Sequence, residues 1–250
     1  MTSIPDSVGL ETADIDTASD DYAKRFSGDV GAWFLEVQTR IVLDLLSHLP
    51  AGAALIDVGG GHAQVTPALV QAGYRVVVVG SHPSCASRLT PWLNGGRCRF
   101  EVADLQTLPY GASTFEAAVC FRLLPHSISW PGLLRELCRV SRRSVVVDYP
   151  SIRSINIISE QLFTLKQRIE RNTRPFTSFH PRQIRQAFQE NGFVIAAERP
   201  QFLFPMVLHR WSKSVGLGRM LELPGQRLGL TRWLGSPVIV RADRDTVRPT

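Results

Sequence analysis

The sequence predicts an α/β domain built on a doubly wound, mostly parallel β-sheet. Val-rich runs of strand length alternate with helical patterns along most of the chain. Such runs are apolar throughout because helices cover both faces of a parallel sheet. The chain has 250 residues, of which 44% are hydrophobic, which is enough for one large core. We therefore expect a single domain over residues 21–250.

The first predicted elements lead up to a glycine loop. Residues 1–20 are acidic and aperiodic, which predicts a flexible tail. The stretch "DDYAKRFSGDVGAWFLEVQTRIVLDLLSHLP" then has apolar residues at spacings near three and four, the helical period, and ends at Pro50. "AALIDVGGG" predicts a buried strand that breaks at glycines. "HAQVTPALVQAGY" predicts a helix closed by Gly73.

The same alternation continues to residue 150. "RVVVVG", "CRFEVAD", "STFEAAVCFRL" and "RSVVVDYP" predict strands, "PSCASRLTPWL" a helical or irregular crossover, and "WPGLLRELCRVSR" a helix. Further on, "SINIISEQLFTLKQRIERN" and "HPRQIRQAFQENGF" predict helices, and "FVIAAERPQFLF" and "SPVIVRAD" predict the last two strands. We expect one of these two strands to be antiparallel. Helical lid segments are expected near 152–176 and 205–235.

Charge is distributed unevenly along the chain. Residues 1–50 carry a net charge of −6 and the remainder carries +12. A basic body suits nucleic acid, an anionic membrane surface or a phosphorylated substrate, and it also suits a solvated surface without a partner. The charge alone leaves these alternatives open.

Other global features restrict the class of protein. The chain has no run of about 18 apolar residues, and its N-terminus lacks the Lys and Arg of a signal peptide, so we expect a cytoplasmic protein. The four cysteines are too widely spaced for a metal or redox pair. They are therefore expected to be small buried hydrophobic residues.

The stretch "LIDVGGGHAQ" carries the clearest chemical motif. Asp57, Gly59 and Gly61 form a D-x-G-x-G pattern where a strand turns into a helix. Glycines let the backbone turn sharply and let a ligand approach closely. Gln64 stands where a dinucleotide-binding loop needs glycine, and the Gly-Lys pair of a Walker loop is missing. An acid beside an open glycine loop suits a ligand that carries an ammonium group.

This motif, together with "EVADLQTLPYGASTFEAAVCFRLLPH", resembles the class I S-adenosylmethionine-dependent methyltransferases from about residue 20 to 200. The order looks most like the ubiquinone/menaquinone subgroup, also called methyltransferase type 11. The resemblance implies a Rossmann-like, seven-stranded, mostly parallel sheet and S-adenosyl-L-methionine as cofactor. It also implies that the glycine loop lies under the methionine part, that Asp57 holds its amino group, that Asp104 accepts from the adenine amino group, and that Leu105 packs nearby. Either acid could instead cap a local turn.

One family feature is missing. Gly80 stands where the family carries an acid that binds the ribose hydroxyls. Ser81 and His82 could supply neutral hydrogen bonds instead, directly or through water. On this basis an acid restored at position 80 should tighten cofactor binding about tenfold. The expected cofactor-binding residues are Asp57, Gly59, Gly61, Gly80, Ser81, His82, Asp104, Leu105, Phe121 and Arg25.

The candidate catalytic residues follow two of the strands. His126 comes after the fourth strand, at the carboxyl edge of the sheet where ligands of such folds bind, and could accept a proton from the acceptor. Tyr149 ends the next strand and is a second candidate. Arg25 in "DYAKRF" could bind the carboxylate of the methionine part. Structural or surface roles are equally consistent with the sequence for His126 and Arg25.

The segment 205–235 bears on the acceptor. Trp, Leu and Met interleave there with Arg and Lys. The mixture suits a membrane interface and a lipid-like acceptor, or a lid whose apolar face packs on the sheet. We therefore expect methyl transfer to a small-molecule acceptor: quinone-like, lipid or natural product. Two alternatives remain: an inactive partner protein that keeps the fold, and a nucleic-acid methyltransferase. "CFRLLPH" lacks the motif of base methylation, which disfavours the latter.

Overall fold

A computed structural model describes residues 12–154 and 176–246, and its centre is one seven-stranded sheet. The strand order is β3-β2-β1-β4-β5-β7-β6. All neighbours pair in parallel except β7, which is antiparallel to both β5 and β6. The strands are β1 Ala54–Val58, β2 Arg75–Gly80, β3 Cys98–Val102, β4 Phe115–Cys120, β5 Ser141–Tyr149, β6 Phe193–Phe202 and β7 Ser236–Arg244.

Helices flank the sheet on both faces. They are α1 Ala13–Thr17, α2 Asp20–Lys24, α3 Gly28–Leu46, α4 Thr66–Gln71, α5 Thr90–Leu93, α6 Trp130–Val140, α7 Pro181–Glu190, α8 Met206–Ser212, α9 Val215–Arg227 and α10 Leu230–Leu234. Short 3₁₀ turns cover Gly60–His62, Pro83–Leu89 and Leu124–His126. The predicted fold class is thereby confirmed, including the antiparallel strand near the C-terminus.

The core consists of two apolar layers, one on each face of the sheet. Successive strand residues point to opposite faces, so Ile56 joins the layer beneath α6 and α7 while Leu55 joins the layer beneath α3 and α4. Val145 and Val146 divide in the same way. The four cysteines are buried, as expected: Cys120 and Cys138 lie in the first layer, Cys98 lies in the second, and Cys85 lies beyond the end of β2.

Helices α8 to α10 are tied to the end of β6 by one buried carboxylate. Glu222 accepts hydrogen bonds from the backbone N–H groups of Leu203 (2.8 Å) and Phe204 (3.0 Å). Its Oε1 also lies 2.8 Å from His209 Nε2. Because β6 runs parallel to β5, this segment leaves from the same edge at which β1, β2 and β4 end.

The N-terminal segment differs from the expected tail over residues 12–20. α1 packs against the glycine loop, with Ala13, Asp14 and Thr17 buried. Arg88 donates to the carbonyl of Ala18 (3.2 Å) and pairs with Asp20, which fixes the start of α2. The sequence did not predict these contacts, because they are made by small residues and by a buried carboxylate rather than by large apolar side chains. Residues 1–11 lie outside the described structure.

Two further expectations concern the helix after the glycine loop and the lid segment near 152–176. The predicted helix after the glycine loop begins only at Thr66, because Ala63 adopts a left-handed conformation (φ 53°) that interrupts it. The predicted helix "SINIISEQLFTLKQRIERN", and most of the lid near 152–176, lie outside the described residues. Within the described part of the chain, no helix is long and apolar enough to cross a membrane.

The end of β2 leaves no room for the acid that the sequence comparison would restore. A Cβ atom on Gly80 would lie 2.9 Å from Cys85 Cβ and 3.0 Å from the ring of Phe100. Cys85 is fully buried, and the partly buried Phe100 packs against the core layer around β2 and β3. The expectation that an acid at position 80 improves cofactor binding is therefore wrong on steric grounds.

We predict that Gly80→Ala destabilises the protein by about 1–3 kcal/mol, since overpacking a closed site forces its neighbours apart. Gly80→Asp should destabilise it further, because a charge is added at a buried position. Urea unfolding measures both. Gly216→Ala is the matched control, because its nearest atom would be Ser214 Oγ at 3.8 Å. Equal stabilities for Gly80→Ala and the wild type would contradict the packing argument.

Candidate functional site

The glycine loop joins β1 to α4 at the carboxyl edge of the sheet. Gly59 adopts a left-handed conformation (φ 75°), and a Cβ atom there would lie 2.8 Å from Leu123 Cδ2. A Cβ atom on Gly61 would lie 2.5 Å from the carbonyl oxygen of Cys85. Both positions therefore require glycine. The loop is buried, with α1 packed against it.

Asp57 is the buried acid of this loop. Thr66 Oγ1 donates to Asp57 Oδ2 at 2.6 Å, whereas Oδ1 has no hydrogen-bond partner among the described residues. Burial raises the pKa of Asp57 to about 7, which Thr66 offsets only in part. A buried carboxylate oxygen without a donor is costly. The site therefore favours a ligand that brings a cationic donor to Oδ1.

His62 fixes the loop to the end of β4. Its Nδ1 accepts a hydrogen bond from the backbone N–H of Gln64 (3.1 Å), so Nε2 carries the proton that points to the carbonyl of Phe121 (3.3 Å). Burial lowers the pKa of His62 to about 4, and the ring is neutral at physiological pH. The geometry gives His62 a positioning role, and Phe121 is buried behind it.

The residues after β2 have partners other than a ligand. Ser81 donates to Asp14 twice, from its backbone N–H to Oδ2 (2.7 Å) and from its hydroxyl to Oδ1 (2.5 Å). Cys85 Sγ lies 3.3 Å from the same Oδ2. The exposed His82 accepts from the backbone N–H of Ser84 (3.1 Å) and so closes its own turn. The ring of His82 is thus engaged by Ser84 within its own turn.

The expected adenine residues lie at the end of β3. Asp104 is partly exposed, and its Oδ1 accepts from the backbone N–H of Gln106 at 2.9 Å. Leu105 is fully buried and packs in the same core layer as Val79 of β2 and Ala13 of α1. This local bond holds the Asp104 carboxylate at the carboxyl edge.

A group of guanidinium side chains lies beyond β4, and sequence reasoning found only one member of it. The Arg122 backbone N–H donates to Asp148 Oδ1 (2.6 Å), and its guanidinium lies 3.4 Å from Oδ2 and donates to Gln38 (2.6 Å). Arg25 stacks on the ring of Tyr22, 5.1 Å from its centroid. The charges of Arg25, Arg122 and Arg210 all act on the Tyr22 hydroxyl.

This cationic group is only partly desolvated, because Arg25 and Arg210 are exposed and Arg122 is partly buried. Burial is the main cause that lowers the pKa of Arg210, and the charges of Arg25 and Arg122 lower it further. Burial also raises the pKa of Tyr22 and of Asp148. An anionic group would be attracted here. The sequence did offer one signal for this group: Asp148 is the single acid within the apolar run "SVVVDY", and a buried acid needs cationic or donor partners.

The two catalytic candidates occupy different surroundings. His126 ends a 3₁₀ turn after β4, lies 5.5 Å from the ring of Phe176, and its charge acts on Asp148. Tyr149 instead lies in the hydrophobic core, edge-on to Phe179, and burial raises its pKa far above the usual range. It does not face the edge of the sheet as expected, because β5 turns this side chain towards α7.

Comparisons with solved structures agree with this fold. Magnesium protoporphyrin IX methyltransferase from Synechocystis PCC 6803, solved with bound SAH, has a TM-score of 0.62 at 15% identity, covering 92% of this chain and 97% of that chain. The complex of the Haloferax volcanii Trm112 methyltransferase activator with a methyltransferase gives 0.61 at 13% identity, covering 92% and 97%. Geranyl diphosphate C-methyltransferase from Streptomyces coelicolor A3(2) gives 0.59 at 17% identity, covering 84% and 78%.

No curated protein matches the sequence. A family model described as a methyltransferase domain matches residues 34–198, which is more than half of the chain. The ubiquinone/menaquinone subgroup stays a prediction. The protein therefore belongs to the methyltransferase domain family, which uses S-adenosylmethionine as its methyl donor.

Proposed function

We propose that this protein transfers a methyl group from S-adenosylmethionine to a small-molecule acceptor. The observation that carries the proposal is the Asp57 carboxylate, which is buried beside the left-handed Gly59 and has one oxygen without a donor in the described part of the chain. The ammonium of the methionine part would supply that donor. Its positive charge would also favour the ionised carboxylate, which burial alone disfavours.

The other end of the methionine part fits the cationic group. The carboxylate of the methionine part would be attracted by the three guanidinium charges of this group. Asp148 is the acid that acts on the same place, so among the described residues positive charge exceeds negative charge there. The adenine amino group would donate to Asp104 at the end of β3. The described residues would thus fit the ammonium, the carboxylate and the base of S-adenosylmethionine.

When bound, the cofactor supplies an activated methyl group, and the protein's own residues position the acceptor and exclude water. His126 would accept a proton where the acceptor is a hydroxyl or a phenol ring carbon. The Asp148 carboxylate, on which the His126 charge acts, would stabilise the resulting imidazolium. Tyr149 is too deeply buried among core residues for this role.

The surface of α8 to α10 supports a lipid-like acceptor at a membrane. Trp211 is 83% exposed and Trp233 is 69% exposed. Further large apolar side chains of this segment are exposed, namely Val207, Leu208, Leu217, Met220, Leu223, Leu228 and Leu230. Exposed cations interleave with them, namely Arg210, Lys213, Arg219, Arg227 and Arg232. Aromatic and cationic side chains together suit an anionic bilayer surface.

The second candidate function is a catalytically inactive partner protein. It is favoured by the closed site at Gly80 and by the burial of the glycine loop, to which α1 contributes. The Haloferax methyltransferase in complex with an activator illustrates that proteins of this fold have protein partners. Absence of cofactor binding would favour this second candidate, since a transferase must bind S-adenosylmethionine, and a protein that binds it but forms no product with any acceptor would favour it too.

Cofactor binding should depend on the protonation of Asp57. Below its pKa of about 7 the carboxyl group is neutral and must lose a proton before it can accept the ammonium. Affinity should therefore rise about tenfold per pH unit between pH 5 and 7 and level off above. Isothermal titration with S-adenosylmethionine measures this dependence. His62 does not contribute, since its pKa lies at about 4.

Asp57→Asn serves as the matched variant in these titrations. Its neutral amide should bind the cofactor weakly, with little change between pH 5 and 7. The same pH dependence in the variant and the wild type would assign the effect to another group. No saturable heat from the wild type at millimolar cofactor would remove the proposed function altogether.

Membrane contact can be measured with vesicles of phosphatidylcholine and phosphatidylserine. We expect the double variant Trp211→Ala/Trp233→Ala to bind them about tenfold more weakly, because two exposed indoles no longer enter the interface. Added salt should weaken wild-type binding, since it screens the cations. Val194→Ala, another exposed apolar position, on edge strand β6, is the control. Undetectable wild-type binding would contradict the membrane proposal.

A further inference from the structure

We propose that Asp14 of α1 supplies the ribose-binding carboxylate that this chain lacks at Gly80. The inference rests on the proposed function and assigns one more residue to the cofactor site. It starts from the two hydrogen bonds by which Ser81, the residue after Gly80, holds the Asp14 carboxylate.

The position of this carboxylate follows from backbone geometry. Consecutive bond lengths place Ser81 N about 2.4 Å from Gly80 Cα. Asp14 Oδ2 lies 2.7 Å from Ser81 N, and is therefore within about 5 Å of Gly80 Cα. An aspartate at position 80 would place its own oxygens about 3–4 Å from that atom. Asp14 thus brings an acid close to the place that a side chain at position 80 would have to reach.

Packing explains why the acid comes from another segment. Cys85 and Phe100 would meet a Cβ atom on Gly80 at 2.9 and 3.0 Å, so β2 itself cannot carry a side chain there. A carboxylate that enters from α1 comes within about 5 Å of Gly80 Cα and needs no Cβ atom on β2. Asp14 is fully buried, and burying an acid demands donors or charge that repay its lost hydration. The Asp14–Ser81 contact is therefore a buried, hydrogen-bonded interaction and not a chance contact at the surface.

The present donors of Asp14 are of the kind that ribose would replace. The Ser81 hydroxyl holds Oδ1 and the Cys85 thiol lies near Oδ2, and both are neutral groups that can turn away. The Ser81 backbone N–H stays in place and keeps the carboxylate oriented. The two ribose hydroxyls would then donate to Asp14 while α1 packs over the bound cofactor. A helix of five residues depends on such contacts, because it is marginal alone.

The test compares S-adenosylhomocysteine with its 2′-deoxy analogue by isothermal titration at pH 8. We expect the wild type to lose about tenfold in affinity when the hydroxyl is absent. Asp14→Asn should bind S-adenosylhomocysteine about tenfold more weakly and no longer distinguish the two ligands, as a double-mutant cycle requires. Asp16→Asn removes the same charge from an exposed position of α1 and should behave as the wild type.

Several results would overturn the inference. Tighter or unchanged binding by Asp14→Asn would show that α1 merely obstructs the site. Continued discrimination by this variant would place the ribose partner elsewhere. If thermal melting shows that Asp14→Asn does not fold, Asp14→Glu keeps the carboxylate and must still distinguish the ligands. A wild type that binds neither S-adenosylmethionine nor S-adenosylhomocysteine would remove the proposed function itself, whereas the other outcomes leave it standing.

Discussion

The parallel pairing of β1 between β2 and β4 is the constraint on which the rest of the site depends. Its register sets Asp57 beside Val78 on one side and Val119 on the other. Three strands therefore end together, and the loops that follow them must share a narrow space. Glycines at positions 59, 61 and 80 make this close packing possible, because other segments of the same chain lie where a Cβ atom would stand.

Much of the fold could be predicted from the sequence because its signals are local. The Val-rich run of β2 and the turn residues around each strand sufficed to predict the sheet. Asp57 and Asp104 could be named as candidates for the same reason, since each adjoins a strand end in a recognisable pattern. Local patterns failed after the glycine loop, where the conformation of Ala63 delays helix α4.

The remainder could not be predicted because it depends on contacts between distant parts of the chain. Asp14 and Ser81 are 67 positions apart, and nothing near either residue indicates the other. Arg122 and Gln38 are 84 positions apart. The burial of Tyr149 depends on which face of β5 meets α7, and alternation along a uniformly apolar strand does not reveal this. Composition was misleading for residues 12–20, where a polar segment packs closely.

The hydrogen bonds of Glu222 have a consequence for the surface formed by α8 to α10. They join this surface to the backbone at the end of β6, and Trp33 and Phe34 of α3 pack against the His209 ring. The helices that carry the exposed indoles are thus held in place before any contact with a membrane. A flexible arm of the same composition would lose conformational entropy on adsorption, whereas here most of that ordering accompanies folding. In the proposed membrane contact, the core of the domain would therefore set its orientation towards the apolar phase.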